Sequence, residues 1–149
     1  MYIVSACLLG ERCKYNGGHN LSEKVMAFLK DKKYVMICPE VLGGLDIPRK
    51  PSEIAGEKVI DIDGRDVTSY FVKGAVLAMV EIAAAREKYD EEIEGAILKA
   101  NSPSCGIGTI YDGTFSNTEI YGEGIFARQL KKRNIKVMTE KDIEEITDD

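Results

Sequence analysis

Residues 95–106 read GAILKANSPSCG. An apolar run of strand length, Gly95 to Ala100, ends in a stiff turn: Pro103 stands between Ser102 and Ser104, and Cys105 and Gly106 follow. A turn alone needs no thiol, so the reading depends on where the other cysteines fall. Two more short apolar runs end in the same way. Tyr2 to Ala6 leads directly into Cys7, and the run Tyr34 to Cys38 is followed at once by Pro39-Glu40. Short runs that are apolar at consecutive positions fit strands buried on both faces, as in parallel sheets.

Helical patterns separate these runs. The segment from Asn20 to about Lys32 starts as a capping box, with Asn20 as N-cap and Glu23 three positions on. Its apolar stripe is Val25, Met26, Phe28 and Leu29. A long helix is expected from Thr68 or Ser69 to about Tyr89, with Val72, Ala75, Val76, Met79, Val80 and Ala83 as its inner face. IFARQLKKRN (125–134) reads as a helix with cations at its C-terminal end, where the dipole favours them. A fourth strand at 135–139 and a helix from about Asp142 complete the pattern. Strands alternating with helices predict one domain over residues 1–149, a three-layer α/β/α sandwich on a Rossmann-like parallel sheet. Two hairpin excursions interrupt it: 58–69 turning at Asp63-Gly64, and 109–124 turning near Asp112-Gly113. The stretch 39–53, broken by three prolines and two glycines, reads as irregular, and the acidic end EEITDD as a solvated tail.

Composition narrows the function. At 149 residues the chain can bury a full core without disulfides. A net charge of -5 argues against a broad nucleic-acid-binding face. No apolar run reads as a membrane span, and MYIVSACLLG reads as a first strand rather than a basic leader. The expectation is therefore a cytoplasmic protein with no nucleic-acid and no membrane partner. In a reducing compartment, four cysteines point to metal binding or catalysis rather than disulfides.

In a parallel sheet, Cys7, Cys38 and Cys105 all lie at the C-terminal edge, where open α/β folds bind ligands. Cys13 shares a loop with Cys7. Free cysteines are often no more than small buried hydrophobes, but three at successive strand ends, beside Gly, Pro or Ser, occupy functional positions. Structural zinc normally shows C-x₂₋₄-C pairs, which this chain lacks. Converging thiolates without histidine suit a soft centre such as an iron–sulfur cluster, although the spacing alone does not choose iron over zinc. Glu40, beside Cys38, is a candidate proton donor or acceptor. Arg49 is a candidate for an anionic or carbonyl-bearing ligand, or for a salt bridge to Glu53. Ser102 and Ser104 are candidates for hydrogen bonds to substrate or cluster sulfide. His19, the only histidine, is expected at the surface, and Gly122-x-Gly124 before a helix is a weak backbone-amide anion site.

Four segments together resemble the 2-thiouracil desulfurase family: SACLLGERCKYNG (5–17), CPEVLGGLDIPRKPSE (38–53), KANSPSCG (99–106) and YGEGIFARQL (121–130). The resemblance spans nearly the whole chain. It implies a 4Fe–4S cluster held by Cys7, Cys38 and Cys105 with one iron left open. That iron would take the thiocarbonyl sulfur of a thiolated pyrimidine such as 2-thiouracil, and oxygen from water would replace the sulfur without net redox change. Glu40 and Ser102 would carry proton transfer and substrate hydrogen bonding, with Ser104 and Arg49 also binding substrate. Cys13 is a further catalytic candidate, as a neighbouring thiol, a resting-state ligand or a sulfur carrier. The chain departs from the expected motif at Lys14-Tyr15-Asn16, where Arg-Tyr-Asp would keep a carboxylate. Two other readings stand beside this one. The first is a non-catalytic zinc or small-ligand binding module in the same crevice. The second is a thiol enzyme with Cys105 as nucleophile.

Overall fold

The structure, a computed structural model, describes residues 1–146, so the last three residues of the acidic end lie outside the described residues. Four strands form one parallel sheet: β1 (Tyr2–Ser5), β2 (Tyr34–Ile37), β5 (Gly95–Leu98) and β8 (Val137–Thr139), in the order β2-β1-β5-β8. They are the apolar runs read from the sequence, each shorter by one to two residues at an end. β1 and β5 are central, and every residue of β5 is buried. Alternate side chains serve opposite faces, as the period of two requires. Val4 and Ile97 pack with Val25 and Leu29 of α1 (Glu23–Leu29) and Ile143 of α5 (Glu140–Ile146). Ile3, Ala96 and Leu98 pack against α3 (Thr68–Tyr89) and α4 (Ile125–Lys132), through Ala75, Ala78, Ile82, Phe126 and Leu130. The three-layer α/β/α sandwich is thus observed.

Both hairpin excursions exist, but the first is placed differently from its expectation. β3 (Ser52–Ala55) pairs antiparallel with β4 (Lys58–Asp61), Ala55 opposite Lys58, so the turn is Gly56-Glu57. Gly56 supplies the positive φ of 66° that such a tight loop demands. Asp63-Gly64 forms a separate turn, in which the Asp61 carboxylate accepts the N–H groups of Asp63 and Arg65. Residues 39–53 are less irregular than expected, because Pro39 at N1 starts a one-turn helix, α2 (Pro39–Leu42), and Ser52 and Glu53 belong to β3. The second excursion, β6 (Thr109–Tyr111) with β7 (Glu119–Tyr121), is a hairpin as expected.

Two helix expectations are corrected. The N-cap of α1 is Ser22, whose Oγ accepts from Val25 N, and Asn20 is used elsewhere. On α3 the buried face is Phe71, Gly74, Ala75, Ala78 and Ile82, while Val72, Val76 and Val80 are exposed. Backbone approach explains the rotation. A Cβ at Gly74 would collide with the Pro39 carbonyl, and one at Gly43 with the Tyr70 carbonyl. α2 and α3 touch glycine to glycine, so small residues set the buried face and the valines turn outward. By length and composition alone α3 also passes for a membrane span, contrary to the sequence reading. In the fold its buried face closes one side of the sheet and carries α2, and α2 carries Cys38 and Glu40.

Candidate active site

The chain turns to opposite sides of the sheet after β1 and after β5, which opens a crevice beyond their C-terminal ends. There a cavity of about 600 Å³ is lined by all four cysteines and by Glu40, Arg49, Ser102 and Ser104. Cys7 sits in the 3-10 turn Ala6–Leu9 that follows β1. Cys38 is the extended N-cap residue of α2. Cys105 is buried in the turn after β5. Cys13, left open by the sequence, belongs to the same group. Its loop folds back because Gly10 takes a φ of 95° and because Asn20 N donates to Cys7 O at 2.9 Å.

The Cys13 thiol lies within hydrogen-bond reach of both Cys7 and Cys38, and its one proton serves either thiolate. That contact, outweighing burial, draws the Cys7 thiol down to about 7, and it lowers Cys38 as well. Cys13 is correspondingly raised, first by Cys38 and then by Cys7. Burial pushes Cys105 up to about 12, partly offset by its side-chain hydrogen bonding with Ser5 and Ser104. Cys7 is therefore the thiol poised to ionise near neutral pH, and Cys105 is held protonated. That separation disfavours Cys105 as a free nucleophile, since the thiolate is the reactive form. Among the described residues, no three His, Cys, Asp or Glu side chains close around a point as the ligands of a single ion do. A zinc ion needs thiolates within about 2.3 Å of itself. A cubane cluster takes each thiolate on a different iron, so its sulfurs stand further apart. A thiol-only donor set suits a soft metal centre.

Beside the thiols lies an ordered polar chain. Glu40 Oε1 accepts from Arg49 Nε at 3.2 Å, and Oε2 accepts from Ser104 Oγ at 2.9 Å. Ser102 Oγ lies 2.9 Å from Ser104 Oγ. A carboxylate only accepts, so the Ser104 proton points at Glu40 and Ser102 is left as donor to Ser104. Ser102 Oγ in turn accepts from Ser104 N and Cys105 N, which fixes it in the turn. Arg49 is 8% exposed and fully engaged, donating to Glu40, to Asp46 O and, at 2.8 Å, to Cys13 O. It thereby ties the Cys13 loop to Glu40. The expected alternative partner, Glu53, is not bonded to Arg49 and faces the second hairpin instead.

The turn carrying Ser102 to Gly106 is braced by the start of α4. Gly124 N donates to Gly106 O, Ile125 N to Pro103 O, and Phe126 N and Ala127 N both to Ser104 O. These bonds use the amides suspected of binding an anion, so that reading is corrected. A Cβ at Gly124 would collide with the Ser104 carbonyl. His19 is exposed, as expected, and Asn16 is exposed with its Oδ1 accepting from Gly18 N at 2.9 Å. An aspartate would make the same turn bond, so the departure at Asn16 leaves the cavity wall unchanged. Sequence reasoning missed Asn20, whose Nδ2 donates to Cys7 Sγ at 3.4 Å, and Lys99, Tyr111, Phe115 and Asn117 on the cavity wall. Asn20 resembled a helix cap, and the hairpin side chains gave no signal of facing the crevice.

Comparison with known proteins agrees with this geometry. The family model of 2-thiouracil desulfurase matches residues 2–142. The uncharacterized protein YbbK of Bacillus subtilis (strain 168) is 41% identical, over 98% of this chain and 99% of the relative. The solved structure of the [4Fe-4S]-dependent thiouracil desulfidase TudS is 40% identical and covers 97% of this chain and 93% of its own, with a TM-score of 0.83. A match through all the strand-end cysteines, on the same sheet, leaves one assignment: this chain belongs to the 2-thiouracil desulfurase family.

Proposed function

We propose that the protein is a soluble, cytoplasmic 4Fe–4S-dependent desulfidase. It would replace the thiocarbonyl sulfur of a thiolated pyrimidine such as 2-thiouracil with oxygen from water. The observation that carries the reading is the meeting of a thiol-only donor set with a carboxylate–serine chain in one crevice. Cys7, Cys38 and Cys105 are the proposed ligands, each just beyond the C-terminal end of a different strand of the parallel sheet. The bound cluster would supply an iron with an open position, a Lewis acid for soft thiocarbonyl sulfur.

The chain's own residues would do the rest. Glu40 takes a proton from the attacking water. Arg49 and Ser104 hold its carboxylate so that neither oxygen turns away from the cavity. Ser102 lines the cavity where substrate would lie, and its bond to Ser104 orients the hydroxyl that holds Glu40. Arg49, also a candidate substrate contact, acts here mainly by positioning Glu40 and Cys13. Cys13 lies between two of the proposed ligands, where its thiol is within reach of released sulfur. The overall change is hydrolytic: a C–S bond breaks, a C–O bond forms, and sulfide leaves. Protein purified without oxygen should be brown and should convert 2-thiouracil to uracil. A colourless protein carrying zinc after anaerobic reconstitution would favour the binding-module reading instead.

A further inference from the structure

Glu53 belongs to none of the groups above, yet it lines the cavity. It stands on β3, and its Oε1 accepts two backbone N–H groups from the β6–β7 turn, Gly113 N and Phe115 N, both at 3.1 Å. The turn is laid directly on β3, since a Cβ at Gly113 would come within 2.7 Å of Ala55 Cβ. Phe115 and Asn117 hold positive φ values of 56° and 59°. For a bulky phenylalanine this left-handed conformation costs energy and persists only where the surroundings enforce it. The side chains so presented, Phe115 and Asn117, both line the cavity that the four cysteines line.

We infer that Glu53 is a positioning residue: its carboxylate clamps the β6–β7 turn so that Phe115 and Asn117 wall the substrate cavity and limit solvent access to the metal centre. The inference rests on the proposed function for its substrate but not for its geometry. Two backbone bonds to one carboxylate oxygen are charge-assisted and short of alternatives. Removing that oxygen frees a turn whose own backbone is strained. None of the proposed cluster ligands is hydrogen-bonded to Glu53 or to the turn, so none loses such a bond.

The test compares Glu53→Ala and Glu53→Gln with the unaltered holoenzyme, prepared anaerobically. Three readouts are taken: amide hydrogen exchange at the 112–118 turn, the rate at which dioxygen bleaches the cluster, and kinetics with 2-thiouracil. Expected for Glu53→Ala are exchange and bleaching faster by about fivefold or more, and a KM raised about tenfold with kcat changed less than threefold. Glu53→Gln keeps an acceptor oxygen and should recover most of each effect. Unchanged exchange would overturn the clamp. Faster exchange with unchanged bleaching and KM would overturn the claim that the turn walls the cavity. If the unaltered holoenzyme carries its cluster but does not turn over 2-thiouracil, the substrate reading fails. Exchange and bleaching then still decide the clamp.

Discussion

Replacing Glu40 by glutamine separates chemistry from architecture. The carboxylate makes two bonds, to Arg49 Nε and to Ser104 Oγ. Arg49 Nε can only donate, so the glutamine must turn its carbonyl oxygen to Arg49 and its NH₂ to Ser104. The Ser104 hydroxyl then accepts from that NH₂ while keeping the bond from Ser102, and turns its own proton towards Cys105 Sγ, 3.7 Å away, which keeps the geometry but redirects the chain. The lost charge weakens the pair with Arg49, whose guanidinium retains the carbonyls of Cys13 and Asp46. A charge-assisted bond becoming a neutral one costs roughly 1–2 kcal/mol, or a melting temperature lower by about 2–8 °C in a domain of this size. Loss of a general base lowers kcat/KM by about 10²–10⁴-fold, roughly 2.7–5.5 kcal/mol in activation free energy. Anaerobic kinetics with 2-thiouracil, alongside the visible spectrum and a thermal melt, measure all three. Full activity in a brown Glu40→Gln protein would refute the role of Glu40 as base. A variant unable to bind iron would show that Glu40 builds the centre rather than the reaction.

Three further outcomes follow from the same contacts. In cluster-free protein at neutral pH, Cys7, held at about 7, should be alkylated by iodoacetamide well before Cys105, raised to about 12. Peptide mass spectrometry reads the order, and early modification of Cys105 would contradict it. The sign of the pH effect is fixed too. Against an ordinary value of 9.0, the depressed Cys7 contributes stability that is full above about pH 9 and is lost as pH falls through about 7. Denaturant melts of cluster-free Cys7→Ser should lose that increment. Gly124→Ala places a methyl group against the Ser104 carbonyl and should destabilise by about 1–3 kcal/mol. Its melting temperature should fall, and an unchanged melt would show that the turn is not braced as described. Arg49→Lys loses the planar fork that reaches Glu40, Asp46 and Cys13 together. Iron should be extracted from it by a chelator several-fold faster, and an unchanged rate would show that Arg49 does not hold the Cys13 loop.

The parts of the fold legible in the sequence were those set by hydrophobic pattern. β1 and β5 are runs buried on both faces, β2 is an edge strand with Tyr34 and Met36 exposed, and each of the three is followed by a cysteine, so the shared edge of a parallel sheet was enough to bring Cys7, Cys38 and Cys105 together. What escaped depends on backbone approach. The valine stripe of α3 has helical spacing and still faces outward, because Gly43 and Gly74 bring α2 against the other side. Asn20 has the chemistry of an N-cap, yet Ser22 takes that place and Asn20 turns to Cys7. Asp63-Gly64 is a good turn in the wrong hairpin, since Gly56-Glu57 closes the pairing that buries Ile54 and Val59. The inclusion of Cys13 and the use of Glu53 both depend on loops returning to the crevice, which local pattern does not encode.

The central claim, a cluster held by the strand-end thiols and used on a thiocarbonyl, is tested most directly on anaerobically reconstituted protein. Iron and acid-labile sulfide are quantified, and the same sample is then assayed with 2-thiouracil. The account predicts about four iron and four sulfide per chain, with uracil and sulfide formed in equal amounts. One zinc per chain without acid-labile sulfide, or a full cluster that leaves 2-thiouracil and related thiopyrimidines intact, would contradict it.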